Sequence, residues 1–252
     1  MGAQVGGAYA AGVSADALCD HWRSMSFARI AKALLPTFPW AGWSTGGEIT
    51  RTMKALVGDV RIEDLPITFA AVATDLESGQ PHLITEGPLV PAIRASVSVP
   101  GLLTPVWLDG RLLIDGGVTD PLPIAAARRL GAEVVVAVDV LVDPGDVTMT
   151  GIPALRSSDR LLGIVKRLSD ADSVSANGSR RFHPSVFSVL FQMSTVFQKR
   201  VSDLALRLHP PEVLIRPDFS SQPPCYSDVG CGIEAGEHAA EAAIPKIEAC
   251  LR

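Results

Sequence analysis

The sequence predicts an α/β fold in which a mainly parallel sheet lies between layers of helices. Two apolar runs, residues 66–74 and 133–140, are almost unbroken, which is typical of strands that are covered on both faces. Stretches of helical character alternate with these runs, as they do in α/β proteins. Hydrophobic residues make up 47% of the 252 residues, which is ample for a sizeable core.

The predicted elements of the first half follow one another as helix, helix, helix, strand, strand and helix. Residues 1–12 are rich in glycine and alanine, and Ser14 caps a second helix over residues 14–23. A turn-rich connection at residues 36–43 leads to a helix at residues 47–57. After the first apolar strand, a turn at Asp109 and Gly110 precedes a short strand at residues 112–114. Residues 121–123, Pro-Leu-Pro, then start another helix.

The second half begins with a segment of different character. Residues 143–183 are rich in Gly, Ser, Asp and Arg and contain one helical patch at residues 159–168, so we expect an irregular lid or loop. Residues 184–252 form a C-terminal helical portion, with helices at 186–208 and 233–251 and a strand at 213–215. The last helix is expected to be interrupted or bent at Pro245. Together, residues 1–252 are predicted to form one domain.

Composition excludes several classes of function. The net charge of −5 argues against non-specific nucleic-acid binding. The four cysteines and five histidines are scattered, so we expect no zinc site. The sequence implies no cofactor or other metal either. Residues 2–7 are glycine-rich but lack the Gly-Lys-Ser/Thr of a phosphate loop, which excludes nucleotide binding. Residues 186–208 carry too many polar groups to span a bilayer.

Asp115 is the first candidate for catalysis. The segment Ile114-Asp115-Gly116-Gly117 places a carboxylate at the end of a strand, followed by two residues that permit a tight turn and a close approach. From this motif alone, a structural turn is the favoured interpretation. Its surroundings change that preference.

Four segments together resemble the patatin-like phospholipases, in particular the bacterial branch related to neuropathy target esterase. The segments are Ala73-Thr74-Asp75-Leu76, residues 92–101, Asp115-Gly116-Gly117 and residues 137–140. The resemblance implies a three-layer α/β fold and a serine–aspartate dyad that cleaves the acyl esters of lipids. Asp115 would be the dyad base, Gly116 and Gly117 would shape its turn, and a phospholipid or lysophospholipid would be the substrate.

The resemblance also implies that the nucleophile lies outside this sequence. The family's elbow is often written Gly-Thr-Ser-Met-Gly-Ala, so Met1 and Gly2 correspond to its last two residues and the serine lies just upstream. The family's glycine-rich oxyanion loop would lie further upstream. We therefore expect an N-terminally truncated chain that lacks the family's first strand and first helix, from a gene product that is a serine lipid acyl hydrolase.

Two alternative functions stay open. The first is a non-catalytic lipid-binding or regulatory relative, if translation starts at Met1. The second is a hydrolase that uses Ser44, in the pentapeptide Gly42-Trp43-Ser44-Thr45-Gly46. A proline-containing turn precedes this pentapeptide where an elbow needs a strand, so we expect Ser44 or Thr45 to cap a helix, with Glu48 completing a capping box.

Other polar residues and the location are left open as well. Asp75 could orient a loop of the site or form a turn, and Ser96 and Ser98 could line the acyl site or end a helix. A peripheral contact with a membrane is a further candidate interaction. A cytoplasmic or peripheral-membrane location is favoured, and export stays open because a targeting segment would precede Met1.

Overall fold

The computed structural model describes residues 1–24, 44–141, 186–218 and 229–252. The helices among them are α1 (Gly2–Ala10), α2 (Ala15–Arg23), α3 (Gly47–Val57), α4 (Leu89–Ser96), α5 (Ile124–Arg129), α6 (Val186–Leu208) and α7 (Val229–Cys250). The strands are β1 (Ala71–Asp75), β2 (Pro81–Ile84), β3 (Val106–Leu108), β4 (Arg111–Asp115), β5 (Val136–Val138) and β6 (Val213–Ile215). The predictions for residues 36–43 and 143–183 lie outside the described residues.

The strands form two sheets. Strands β2, β1, β4 and β3 lie side by side in that order, and all of their pairings are antiparallel. Strands β5 and β6 pair in parallel. The α/β class is thus confirmed, and among the described strands the predicted parallel pairing is present only between β5 and β6.

The first apolar run forms a strand with antiparallel neighbours, where a parallel sheet was predicted. Its strand starts at Ala71, later than predicted, and reverses into β2 through a tight turn, which makes that pairing antiparallel. Ala71 and Ala73 are fully buried in a core cluster that includes residues of α4. The apolar composition of this run reflects its burial, and a buried strand can have parallel or antiparallel neighbours.

Two hydrophobic clusters hold the described elements together. The larger one lies between the four-stranded sheet and the helices α1 to α4, with α4 at its centre because Leu89, Ala92, Ile93 and Ala95 are fully buried. The smaller one joins α5 to the β5–β6 pair through Leu122, Ile124, Val135 and Ala137. The Asp115 turn directly follows strand β4 of the larger sheet.

Several local predictions are confirmed. The Ser14 hydroxyl accepts a hydrogen bond from the Ala17 N–H at 3.3 Å and caps α2. Asp109 and Gly110 have positive φ angles of 49° and 74° and close the β3–β4 hairpin. The bounds of α3, α6 and β6 agree with the predictions to the residue. Helix α7, by contrast, spans Val229–Cys250 instead of residues 233–251 and is not interrupted at Pro245.

The predicted cap of α3 was wrong. The N-cap residue is Gly46, with a φ of 68°, and not Ser44 or Thr45. A left-handed backbone at this position favours glycine over Ser or Thr. Separately, none of the helices in the described ranges is long and apolar enough to cross a membrane.

Candidate active site

The backbone of Asp115 is held on both sides. Its N–H donates to the Ser98 carbonyl at 3.0 Å, and its own carbonyl accepts from the Thr74 hydroxyl at 2.8 Å. Because Thr74 uses its proton there, the Thr119 hydroxyl 2.8 Å away must donate to Thr74. The end of β4 is therefore fixed by two neighbouring segments before the carboxylate is reached.

The two glycines after Asp115 are required by space. A Cβ on Gly116 would collide with the Val72 carbonyl of the adjacent strand, standing 2.6 Å from its carbon. A Cβ on Gly117 would lie 3.1 Å from Oδ1 of Asp115 and 3.2 Å from Cδ of Gln198. The backbone N–H of Gly117 instead donates to Oδ1 of Asp115 at 2.7 Å. Glycine thus lets the turn fold back beneath the carboxylate.

The Asp115 carboxyl lies in an environment that favours its protonated form. Burial raises the pKa of Asp115, and the Gly117 N–H and the positive charge of the chain's first residue only partly oppose this effect. Among the described residues, no side-chain ion pair includes Asp115. A carboxylate with a raised pKa and no cationic side-chain partner is a good proton acceptor.

The N-terminus of α1 lies close to Asp115. The helix starts at Gly2 with Met1 as its N-cap, and the Met1 carbonyl accepts from the Gln4 N–H at 2.9 Å. Burial lowers the pKa of the Met1 α-amino group, while the Asp115 carboxylate raises it. The Met1 amino group is thus close enough to Asp115 for the two charges to interact, and the positive end of the α1 dipole lies on this side of the helix.

A buried arginine supports the segment that holds Asp115. Arg94 donates to the hydroxyl of Ser98 at 2.5 Å and to the carbonyls of Thr45 at 2.7 Å and Thr104 at 3.0 Å. Ser98 is fully buried, and its hydroxyl donates back to the Arg94 carbonyl at 2.8 Å. A Cβ on Gly46 would collide with the Arg94 guanidinium. Ser98 thus acts here as a structural link behind Asp115, and α4 ends at the predicted Ser96.

The remaining sequence candidates have local partners. Asp75 accepts from the backbone N–H groups of Glu77 at 3.0 Å and Ser78 at 3.3 Å and pairs with Arg111, as a turn former does. Ser44 is buried, its hydroxyl accepts from the Gly46 N–H at 3.2 Å, and its backbone bridges to the segment around Leu103.

Sequence reasoning missed one residue of this site. Gln198 of α6 packs against Gly117, and its amide donates to the Ser194 hydroxyl at 3.0 Å. No motif marks Gln198, since its position depends on how α6 docks onto the turn. Among the described residues, no three His, Cys, Asp or Glu side chains are grouped to hold a metal ion.

Comparisons with known proteins identify relatives of this arrangement. Residues 1–128 match the family model of the patatin-like phospholipases. An uncharacterized NTE family protein of Mycobacterium tuberculosis is 43% identical over 141 residues, covering 56% of this chain and 39% of that protein. Lysophospholipases of Emericella nidulans and Yarrowia lipolytica are each 35% identical over 145 residues, 56% of this chain, and 9% and 10% of their own lengths. The matches thus span well under half the length of these relatives.

Proposed function

Because this chain belongs to the patatin-like phospholipase family, we propose that the complete protein hydrolyses acyl esters of phospholipids or lysophospholipids with a serine–Asp115 dyad. The observation that carries this proposal is the electrostatic interaction between the Met1 amino group and the buried Asp115 carboxyl. In the family's elbow the nucleophilic serine directly precedes this methionine, so it would enter the site next to the carboxylate. The names of the two fungal lysophospholipases support the substrate class.

The proposed reaction uses Asp115 twice. The carboxylate accepts the serine hydroxyl proton while the serine Oγ attacks the ester carbonyl carbon. The protonated Asp115 then gives this proton to the departing lipid alcohol, which leaves an acyl-serine. In the second half a water molecule attacks the acyl-serine, its proton passes to Asp115 and on to the serine Oγ, and the fatty acid leaves.

The start of α1 would stabilise the negative charge that develops on the carbonyl oxygen. The first N–H groups of a helix have no partner inside that helix, and the N–H of the residue after the nucleophile, here Met1, is the usual oxyanion donor of an elbow. An upstream glycine-rich loop would add further donors. Loss of a single donor of this kind costs roughly 10²–10³ in kcat.

Ser44 has no role in the proposed reaction. Its buried hydroxyl bonded to the Gly46 N–H supports a role in the turn before α3. The non-catalytic alternative gives no reason for a partly buried carboxylate that has no cationic side-chain partner in the described part of the chain, whereas such a carboxylate suits a proton acceptor.

A covalent label tests the proposal. The gene product at its native length should react with a fluorophosphonate, and peptide mass spectrometry should find the adduct on the serine immediately before Met1. Ser44→Ala should keep this adduct. An adduct on Ser44 would establish the alternative nucleophile, and a folded protein that takes no label would establish the non-catalytic alternative.

A further inference from the structure

Helix α6 presents an unusual outer face. Seven of its residues with described side chains are exposed, and five of them are apolar while two are arginines. They are Val189, Met193, Phe197, Arg200, Leu204, Arg207 and Leu208. At 100° per residue these positions fall within an arc of about 100°, so they form one continuous stripe along the helix. We call this stripe the outer face of α6.

The opposite side of α6 is polar where it meets the site. Gln198 packs on Gly117 and donates to Ser194, and the fully buried hydroxyl of Ser202 has no hydrogen-bond partner among the described residues. A surface helix of a globular protein normally turns its apolar stripe inward and its charged side to water. Helix α6 exposes apolar side chains where such a helix would place polar ones.

The outer face is a candidate interaction surface. Single exposed apolar residues are common, but a contiguous apolar patch of about 300 Å² or more often has a function. Phe197, at 57% exposure, is the largest side chain of the stripe.

We propose that the outer face of α6 docks on an anionic lipid surface. Its only charged groups are Arg200 and Arg207, in a chain of net charge −5, so this face is locally positive and complements lipid phosphates. Arginine can keep its guanidinium at the phosphates while its stem lies along apolar surface, and Phe197 and the leucines would enter the acyl boundary, as in interfacial helices.

The size of the face favours a lipid over a second copy of the chain. From Val189 to Leu208 the helix is about 30 Å long, and a stripe about 10 Å wide gives about 300 Å². A stable protein–protein interface buries about 800 Å² on each partner, whereas an interfacial helix needs only one face. This inference rests on the proposed function, because the inner side of the same helix contacts the Asp115 turn.

Vesicle binding by the protein at its native length tests the proposal. The vesicles are made of ether-linked lipids, which an ester hydrolase cannot cleave. They contain phosphatidylcholine alone or an equimolar mixture of phosphatidylcholine and phosphatidylglycerol. The protein should bind the anionic vesicles more tightly. Met193→Asn with Phe197→Asn should weaken binding at least tenfold, because two large apolar side chains no longer leave water. Arg200→Gln with Arg207→Gln should weaken binding to anionic vesicles about tenfold or more, and added salt should reduce this difference.

Ile244→Asn on α7 is the matched control, because Ile244 is also exposed, at 48%, on a different helix. This variant should bind like the unmodified protein. Absence of vesicle binding, or equal binding by the Met193/Phe197 variant, overturns the proposal. A dimer in sedimentation that the same two substitutions dissociate, without vesicle binding, would assign the face to a second copy and also overturn it. Hydrolysis of a water-soluble ester, measured separately, reports on the proposed function, so the two can fail independently.

Discussion

At the scale of single residues, the Asp115 carboxyl has no side-chain ion pair within the described ranges. Its Oδ1 accepts from the Gly117 N–H at 2.7 Å, and burial raises its pKa above the ordinary 3.8. The folded state therefore holds the proton more tightly than the unfolded state. The free energy of unfolding therefore falls as the pH rises from the ordinary pKa to the raised one, and the loss is complete above the raised pKa.

Asp115→Asn should therefore stabilise this chain at neutral pH. The amide keeps an oxygen for the Gly117 N–H but removes the charge, so Tm should rise at pH 7, by about 2–4 °C for each kcal/mol gained. The gain should vanish in acid, where Asp115 is protonated in both states. Thermal unfolding at both pH values measures this effect. Asp109→Asn, in the exposed hairpin turn, is the control and should change Tm little. A lower Tm for Asp115→Asn at pH 7 would contradict the inference that the ionised Asp115 carboxylate destabilises the fold.

The same pKa predicts the pH profile of the complete enzyme. A general base must be ionised, so kcat/KM for a soluble ester should fall as the pH drops through the pKa of Asp115. This acid limb should lie above the ordinary value of 3.8. If the chain extends upstream of Met1 as proposed, an uncharged peptide bond replaces the Met1 ammonium, which removes an interaction that lowers this pKa. An acid limb at or below 3.8 would contradict the assignment.

Residue by residue, the sequence allowed only part of this site to be predicted. Asp115 and its two glycines form a contiguous motif whose close approach to Val72 needs glycine, so a local pattern was sufficient. Gln198 could not be found in this way, since tertiary packing alone brings it to Gly117. The buried Arg94 lay within the segment that carried the resemblance, but its acceptors, Thr45 and Thr104, come from separate parts of the chain.

At the scale of elements, predictions succeeded where local signals end a helix or strand. The helical period and flanking residues set the bounds of α6, and Asp109-Gly110 set the hairpin between β3 and β4. The direction of β1 was not predictable from its apolar run, because burial on both faces does not distinguish parallel from antiparallel neighbours. Its start was also misjudged, since apolar residues before Ala71 do not pair as strand.

The contact between the Asp115 turn and β1 gives a prediction at this scale. Gly116→Ala should destabilise the fold by about 1–3 kcal/mol, because its Cβ would displace the Val72 carbonyl of the adjacent strand. Urea unfolding measures this loss. The matched change Gly236→Ala, in α7 with nothing within 4 Å of the added Cβ, should be neutral or stabilising by up to about 1 kcal/mol. Equal stability of the two variants would show that the turn can move away from β1.

At the scale of the whole molecule, the second sheet exposes apolar surface. Among the described strands β5 pairs only with β6. Val136 and Val138 of β5 are exposed, and so is Val140, just beyond the end of this strand. If the upstream strand and helix that we propose cover this surface, the protein at its native length should melt at a higher temperature than residues 1–252. Buried apolar surface contributes about 25 cal/mol per Å². Hydrogen exchange should also slow at the β5 amides, and unchanged melting and exchange would argue against such a covering.

The most direct test of the Asp115 dyad is the turnover of Asp115→Asn in the protein at its native length. If Asp115 takes the serine proton, hydrolysis of a soluble ester should fall about 10²–10⁴-fold, while Tm is maintained or raised and binding to ether-linked vesicles is unchanged. Asp109→Asn serves as the control and should keep its rate. A folded Asp115→Asn protein that retains most of its turnover would contradict the role of Asp115 as the base, and with it the proposed mechanism.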